Sequence, residues 1–126
     1  VTRRPASRPV LAAAVIDLVL VIVFVLIGRA SHDENPIGGA LVTLWPFAVG
    51  LLVGWLVARG WQHPLALART GIPVWIATVV IGMLLRVASG QGVEVSFVIV
   101  ASIVLGVFLL GWRALARLRG VRRLLS

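Results

Sequence analysis

From Val10 to Gly28 every residue is apolar except Asp17. A bilayer core about 30 Å thick is crossed by roughly 17–25 such residues. Within that core each backbone polar group must be bonded inside its own segment, so the run must be helical. A carboxylate at this depth is costly and normally turns toward a partner helix or a wet cavity. The run can carry it. It holds fourteen Val, Leu, Ile or Phe residues, each contributing roughly −0.3 to −0.6 kcal/mol on insertion. Their sum, on the order of −4 to −8 kcal/mol, exceeds the cost of a central Asp, about +3 kcal/mol. A cleavable signal peptide is the competing reading. Arg3, Arg4 and Arg8 would be its positive start, and Gly28-Arg29-Ala30 weakly resembles a cleavage site. The apolar run is longer than a signal core of roughly 7–15 residues, and it contains Asp17, so a transmembrane span is expected.

The same length test places further spans at Leu41–Ala58, Ile72–Ser89 and Val95–Trp112. The chain of 126 residues is 60% hydrophobic and only 13% charged, with a mean hydropathy of +1.09. A soluble domain is about half apolar and about a quarter charged. The expected fold is therefore one all-α membrane domain of four transmembrane helices, with 113–126 as a basic tail. There is no cysteine, which excludes disulfides, zinc-thiolate sites and thiol catalysis. All 12 basic residues are arginines, and the net charge is +8. They lie between and beyond the apolar runs and no nucleic-acid-binding motif accompanies them, so nucleic acid is not an expected partner.

Arginine placement sets an orientation. Arg3, Arg4, Arg8, Arg59, Arg69, Arg113, Arg117, Arg119, Arg122 and Arg123 fall on one side of the spans, and only Arg29 and Arg86 toward the other. The positive-inside rule then puts both termini in the cytoplasm. Trp45 would anchor the outer interface, and Trp55, Trp61, Trp75 and Trp112 the inner one. Residues 29–40 read as an exposed loop rich in polar residues, and Gly90-Gln91-Gly92 as a tight turn. Between Arg59 and Gly71 a brief interfacial helix is expected around Leu65–Ala68. The tail places Leu115, Leu118, Val121 and Leu125 on roughly one face, which suits a basic amphipathic helix on anionic lipid. A plain topology signal explains the same arginines.

Helices associate in lipid through close packing and interhelical hydrogen bonds, so small and polar residues mark contact faces. Pro46, Gly50, Gly54 and Ala58 recur at four-residue steps in the second span. Thr78, Gly82, Arg86 and Gly90 do so in the third, and the fourth has Ser102 and Gly106. Residues at this step share one helix face. The stripes serve either simple packing or a thin central cavity. Pro46 either kinks its helix or lies harmlessly in a first turn. Val53-Gly54-Trp55 and Leu110-Gly111-Trp112 echo each other, a hint of a duplicated hairpin.

Asp17 lies about 3 Å to the inner side of its span's midpoint, at 1.5 Å per residue. Thr78 and Ser102 fall near the same depth, so a buried Asp17, Thr78 and Ser102 layer is one expectation. Arg86 either reaches inward to pair with Asp17 or snorkels to the outer headgroups. Asp17 itself either locks the bundle or serves a ligand. Arg29, His32, Asp33 and Glu34, with Arg86 and Glu94, would line an outer vestibule. His32 and His63 are the only histidines and fall on opposite sides, so no metal site and no cofactor are expected. No nucleophile–base arrangement supports a hydrolase.

Ile16-Asp17-Leu18, Ile27-Gly28-Arg29, Ser31-His32, Trp45-Pro46-Phe47 with Gly50, Gly82-Met83-Leu84-Leu85-Arg86, Ser96-Phe97 with Val100-Ala101, and Gly111-Trp112-Arg113 together are distinctive. Over about Arg8 to Arg113 the chain resembles a bacterial family of small four-helix membrane proteins, domain of unknown function 3054. The resemblance implies an integral protein of the bacterial inner membrane. Asp17, Arg29, His32, Pro46 and Arg86 match the family pattern, which carries no activity or ligand. The leading functional expectation is a non-enzymatic protein that binds or passes a small ligand or proton as a homo-oligomer, since four spans enclose little volume and a sizeable cavity forms more easily between protomers. The alternative is a scaffold that binds another membrane protein through its glycine ridges. An enzyme acting on lipid through His32 and Asp33 ranks last.

Overall fold

The computed structural model describes residues 7–31 and 39–125, with side chains at 8–30 and 39–119. Each apolar run becomes a helix: α1 Ser7–Ser31, α2 Ala40–Ala58, α3 Ile72–Ala88 and α4 Val95–Leu125. Each is long and apolar enough to cross a membrane, over Arg8–Ala30, Ala40–Ala58, Leu67–Ala88 and Val95–Arg119. Large apolar side chains face outward as freely as inward. Leu84 is 63% exposed and Ile103 61%, a surface that only lipid solvates favourably. The protein is a multi-pass, all-α membrane protein.

The helices form a ring in chain order, with α1 against α2 and α4, and α3 against α2 and α4. The closest pairing is α2 with α3, and the glycines explain it. A Cβ on Gly50 would lie 2.8 Å from the Ala77 carbonyl oxygen and 2.9 Å from the Thr78 Cα. One on Gly54 would lie 2.8 Å from the Val74 Cα. Only hydrogen fits where backbone meets backbone. Gly82 receives the ring of Phe47, and Gly106 the indole of Trp75. Pro46 is fully buried within α2. It lies beyond the first turn, so the first-turn reading does not hold.

Two connections depart from expectation. The brief helix around Leu65–Ala68 is instead a single π-type turn, Leu67–Gly71, that runs straight into α3. Its Gly71 N–H donates to the Ala66 carbonyl at 3.0 Å. Pro73 follows at the start of α3. It has no N–H for the carbonyl four residues back, and its ring would crowd that carbonyl in a regular helix. The second departure is α4, which does not stop at Trp112 but continues to Leu125. Arg113 is therefore part of a helix inside the bundle. At the opposite end Gly90 and Gly92, at φ of 80° and 81°, make the sharp reversal from α3 to α4 in a region of backbone space open to glycine.

Candidate functional site

Asp17 is completely buried, and its partners come from α2 and α4. Arg113 grips it from two sides, Nη1 donating to Oδ1 at 2.9 Å and Nη2 to Oδ2 at 2.8 Å. The indole of Trp112 donates to Oδ1 at 2.8 Å and that of Trp55 to Oδ2 at 2.8 Å. Each carboxylate oxygen thus accepts two hydrogen bonds. A parallel fork of this kind is the strongest way to hold a carboxylate. Arg113 is as deeply buried as its partner. It also donates from Nη1 to the Leu109 carbonyl at 3.0 Å and from Nε to the Pro64 carbonyl at 2.9 Å. Its guanidinium lies over the Trp112 ring, 4.7 Å from the centroid. No buried side-chain polar atom among the described residues lacks a partner.

The ion pair reaches the connection between α2 and α3. Beside Pro64, the buried Thr70 hydroxyl donates to the His63 carbonyl at 2.6 Å, while His63 Nδ1 meets the same hydroxyl at 2.5 Å. The single hydroxyl proton goes to the carbonyl, so Nδ1 carries the hydrogen it donates. Gly71 packs here too, since a Cβ on it would come 3.2 Å from Arg113 Cδ. Asp17, Arg113 and this connection form one continuous polar knot at the end where α2 finishes.

The sequence expectations around Asp17 are corrected here. Its hydrogen-bond partners are Arg113, Trp55 and Trp112, and neither Arg86 nor Thr78 nor Ser102 is among them. The Thr78 hydroxyl turns back to the Val74 carbonyl at 2.7 Å, and the Ser102 carbonyl accepts from Trp75 Nε1 at 2.9 Å. An arginine immediately after an apolar run reads as an interfacial anchor, which concealed Arg113. A usable signal was present. Trp55 and Trp112, which close the two echoing tripeptides, are the two indoles that converge on Asp17.

At the other end of the bundle a cleft of about 450 Å³ opens between the end of α1, the start of α2, the α3–α4 turn and the start of α4. Arg29 and Arg86 both line it, as do Gln91 and Glu94. Arg29 Nη1 donates to the Thr43 hydroxyl at 3.0 Å. Arg86 donates from Nε to the Gly92 carbonyl at 3.3 Å and from Nη1 to the Gln91 side-chain oxygen at 3.1 Å. Its guanidinium sits 4.8 Å from the centroid of the Phe97 ring. Phe24 and Phe97 form the apolar floor, 6.2 Å apart. Phe47 lies against both, at 5.4 and 6.2 Å. The structure thus gathers Arg29, Arg86 and Glu94 of the expected vestibule. His32, Asp33 and Glu34 lie outside the described residues. Phe97 stood out in the sequence only within the family resemblance and Phe24 not at all, because an aromatic in an apolar run carries no mark of facing a cavity.

No curated protein and no solved structure matches the chain. A family model, described as protein of unknown function (DUF3054), matches residues 14–116. That stretch runs from before Asp17 to beyond Arg113 and includes all of α2 and α3 and most of α1 and α4, and the chain belongs to the DUF3054 family.

Proposed function

We propose that the protein is a membrane-embedded binding protein that takes up a small anionic ligand in the Arg29–Arg86 cleft. Two cations from different helices on the wall of one open cavity carry this reading. Arginine is the side chain best shaped to hold carboxylate or phosphate oxygens. The cleft is formed within one chain, so binding requires no second protomer. Its size falls in the range of about 300–1,000 Å³ usual for small-ligand sites.

Asp17 has a different role in this reading. With four donors on its two oxygens it fastens α1 to α2 and α4 and does not relay protons. The scaffold reading loses its docking face, because Gly50 and Gly54 lie against the backbone of α3. The arginine distribution supports an orientation with both termini in the cytoplasm and the cleft facing out, in a bacterial inner membrane. Exposed Arg59, Arg69, Arg117 and Arg119 would then rest on anionic headgroups, each contributing about 1 kcal/mol near the surface.

The test is thermal unfolding in nanodiscs of neutral lipid, with inorganic phosphate, sulfate and short carboxylates each added. At least one should raise the midpoint by several degrees, and Arg86→Gln should abolish the rise. No rise with any anion would overturn the reading.

A further inference from the structure

We infer that the outer face of α4 carries a separate lipid site, a groove that seats one acyl chain of an anionic phospholipid with its phosphate on Arg117. The site lies toward the opposite end of the bundle from the Arg29–Arg86 cleft and does not depend on it. Between the π turn, the head of α3 and α4 runs an open groove of about 460 Å³, and every residue lining it is apolar. Leu67 and Ile72 line it from the first two elements, and Gly106, Leu110, Gly111 and Ala114 from α4. Missing side chains shape it. A Cβ on Gly71 would lie 2.8 Å from Leu110 Cδ2, so the turn closes tightly on α4 there. Nothing lies within 4 Å of a Cβ on Gly111, so the groove stays open above it. Gly106, Leu110, Ala114 and Arg117 follow one another at steps of four, four and three residues, which puts them on one helix face. Arg117 stands about 4.5 Å beyond Ala114 at 1.5 Å per residue. It is exposed, and it has no hydrogen bond or ion pair to any described residue. Arg69, in the turn that supplies Leu67, is exposed as well, so the field at this end is positive from both walls. A chain laid in the groove therefore delivers its headgroup to a free guanidinium, the side chain best shaped to hold phosphate oxygens. Charge also argues against a second copy as the occupant. Two copies in the same membrane orientation, facing each other across this groove, would place Arg117 of each at one depth along the seam, and like charges repel. Lipid tails are as apolar as leucine, so no hydrophobic gain offsets that repulsion.

Native mass spectrometry of the whole chain, released from a neutral detergent, tests this. The probes are dioleoyl phosphatidylglycerol and dioleoyl phosphatidylcholine, which share their acyl chains and differ in net charge. One phosphatidylglycerol should stay on each chain, preferred over phosphatidylcholine by about fivefold, what one arginine near a headgroup contributes. Arg117→Gln should remove that preference. Arg8→Gln, exposed at the same end of the bundle on α1, should leave it intact. Gly111→Phe, whose ring enters open space, should displace the bound lipid while helicity by circular dichroism is unchanged. Equal retention of the two lipids, or no lipid retained, would overturn the site. Equal losses on Arg117→Gln and Arg8→Gln would overturn it in favour of diffuse attraction to a basic end. A dimer that Gly111→Phe dissociates would overturn it in favour of a second copy in the groove. The lipid competition and the two arginine variants stand by themselves if Gly111→Phe fails to fold.

Discussion

Asp17 shows what one charge must satisfy to persist in an apolar helix. Its Coulomb attraction to Arg113 grows in a low-dielectric interior, but so does the cost of stripping both groups of water. The two indole donors and the two backbone carbonyls that Arg113 reaches supply the hydrogen bonds water would have made. Removing one charge leaves the other buried without a counterion, a loss of about 3–5 kcal/mol. Asp17→Asn should therefore lower unfolding free energy by about that amount, measured by denaturation in mixed micelles. Its amide NH2 would also face groups that are themselves donors. Adding Arg113→Gln should cost less than the sum of the single losses, with coupling in the range of about 0.5–3 kcal/mol. Strict additivity would show that the pair does not act as a unit. Asp17 was legible as an anomaly because a carboxylate in such a run needs a reason. Its partner was not, since sequence spacing carries no information on which helix crosses at that depth.

At the scale of elements, small residues decide which helices touch and how closely. The four-residue step of Gly50 and Gly54 revealed a packing face on α2, but only the folded chain identifies α3 as what fills it. Their hydrogens point at backbone, which cannot rotate away as a side chain can. Gly50→Ala should force α2 from α3 and cost about 1–3 kcal/mol, the usual penalty for overpacking. Gly111 is the internal control. Nothing lies within 4 Å of a Cβ placed there, and alanine favours a helix over glycine by up to about 1 kcal/mol. Gly111→Ala should be neutral or stabilising in the same denaturation assay, and equal losses at both sites would refute the packing account. The π turn before α3 was illegible for a different reason. Pro73 announces that a regular helix cannot extend upstream unchanged, but not whether the chain breaks or widens. Here it widens, and Gly71 and Thr70 bring the turn against Arg113 and His63.

Over the whole molecule the chemistry is divided between two ends. One end holds the closed knot of Asp17 and Arg113, and the other the open cleft of Arg29 and Arg86. The orientation proposed from the arginines does not depend on Arg113, because Asp17 neutralises it and Arg59, Arg69, Arg117 and Arg119 remain exposed at that end. With 31 residues α4 is about 46 Å long, against about 28 Å for the 19 of α2, at 1.5 Å per residue. The excess lies beyond Arg113 and carries the basic residues past the bundle, where headgroups and water can solvate them. The chain contains no cysteine, so single cysteines report orientation without background. Gln62→Cys and Arg119→Cys should react with an impermeant maleimide only after the cells are opened, whereas Ser89→Cys should react in intact cells. The reverse pattern would turn the cleft toward the cytoplasm, and its ligand would then be drawn from inside the cell.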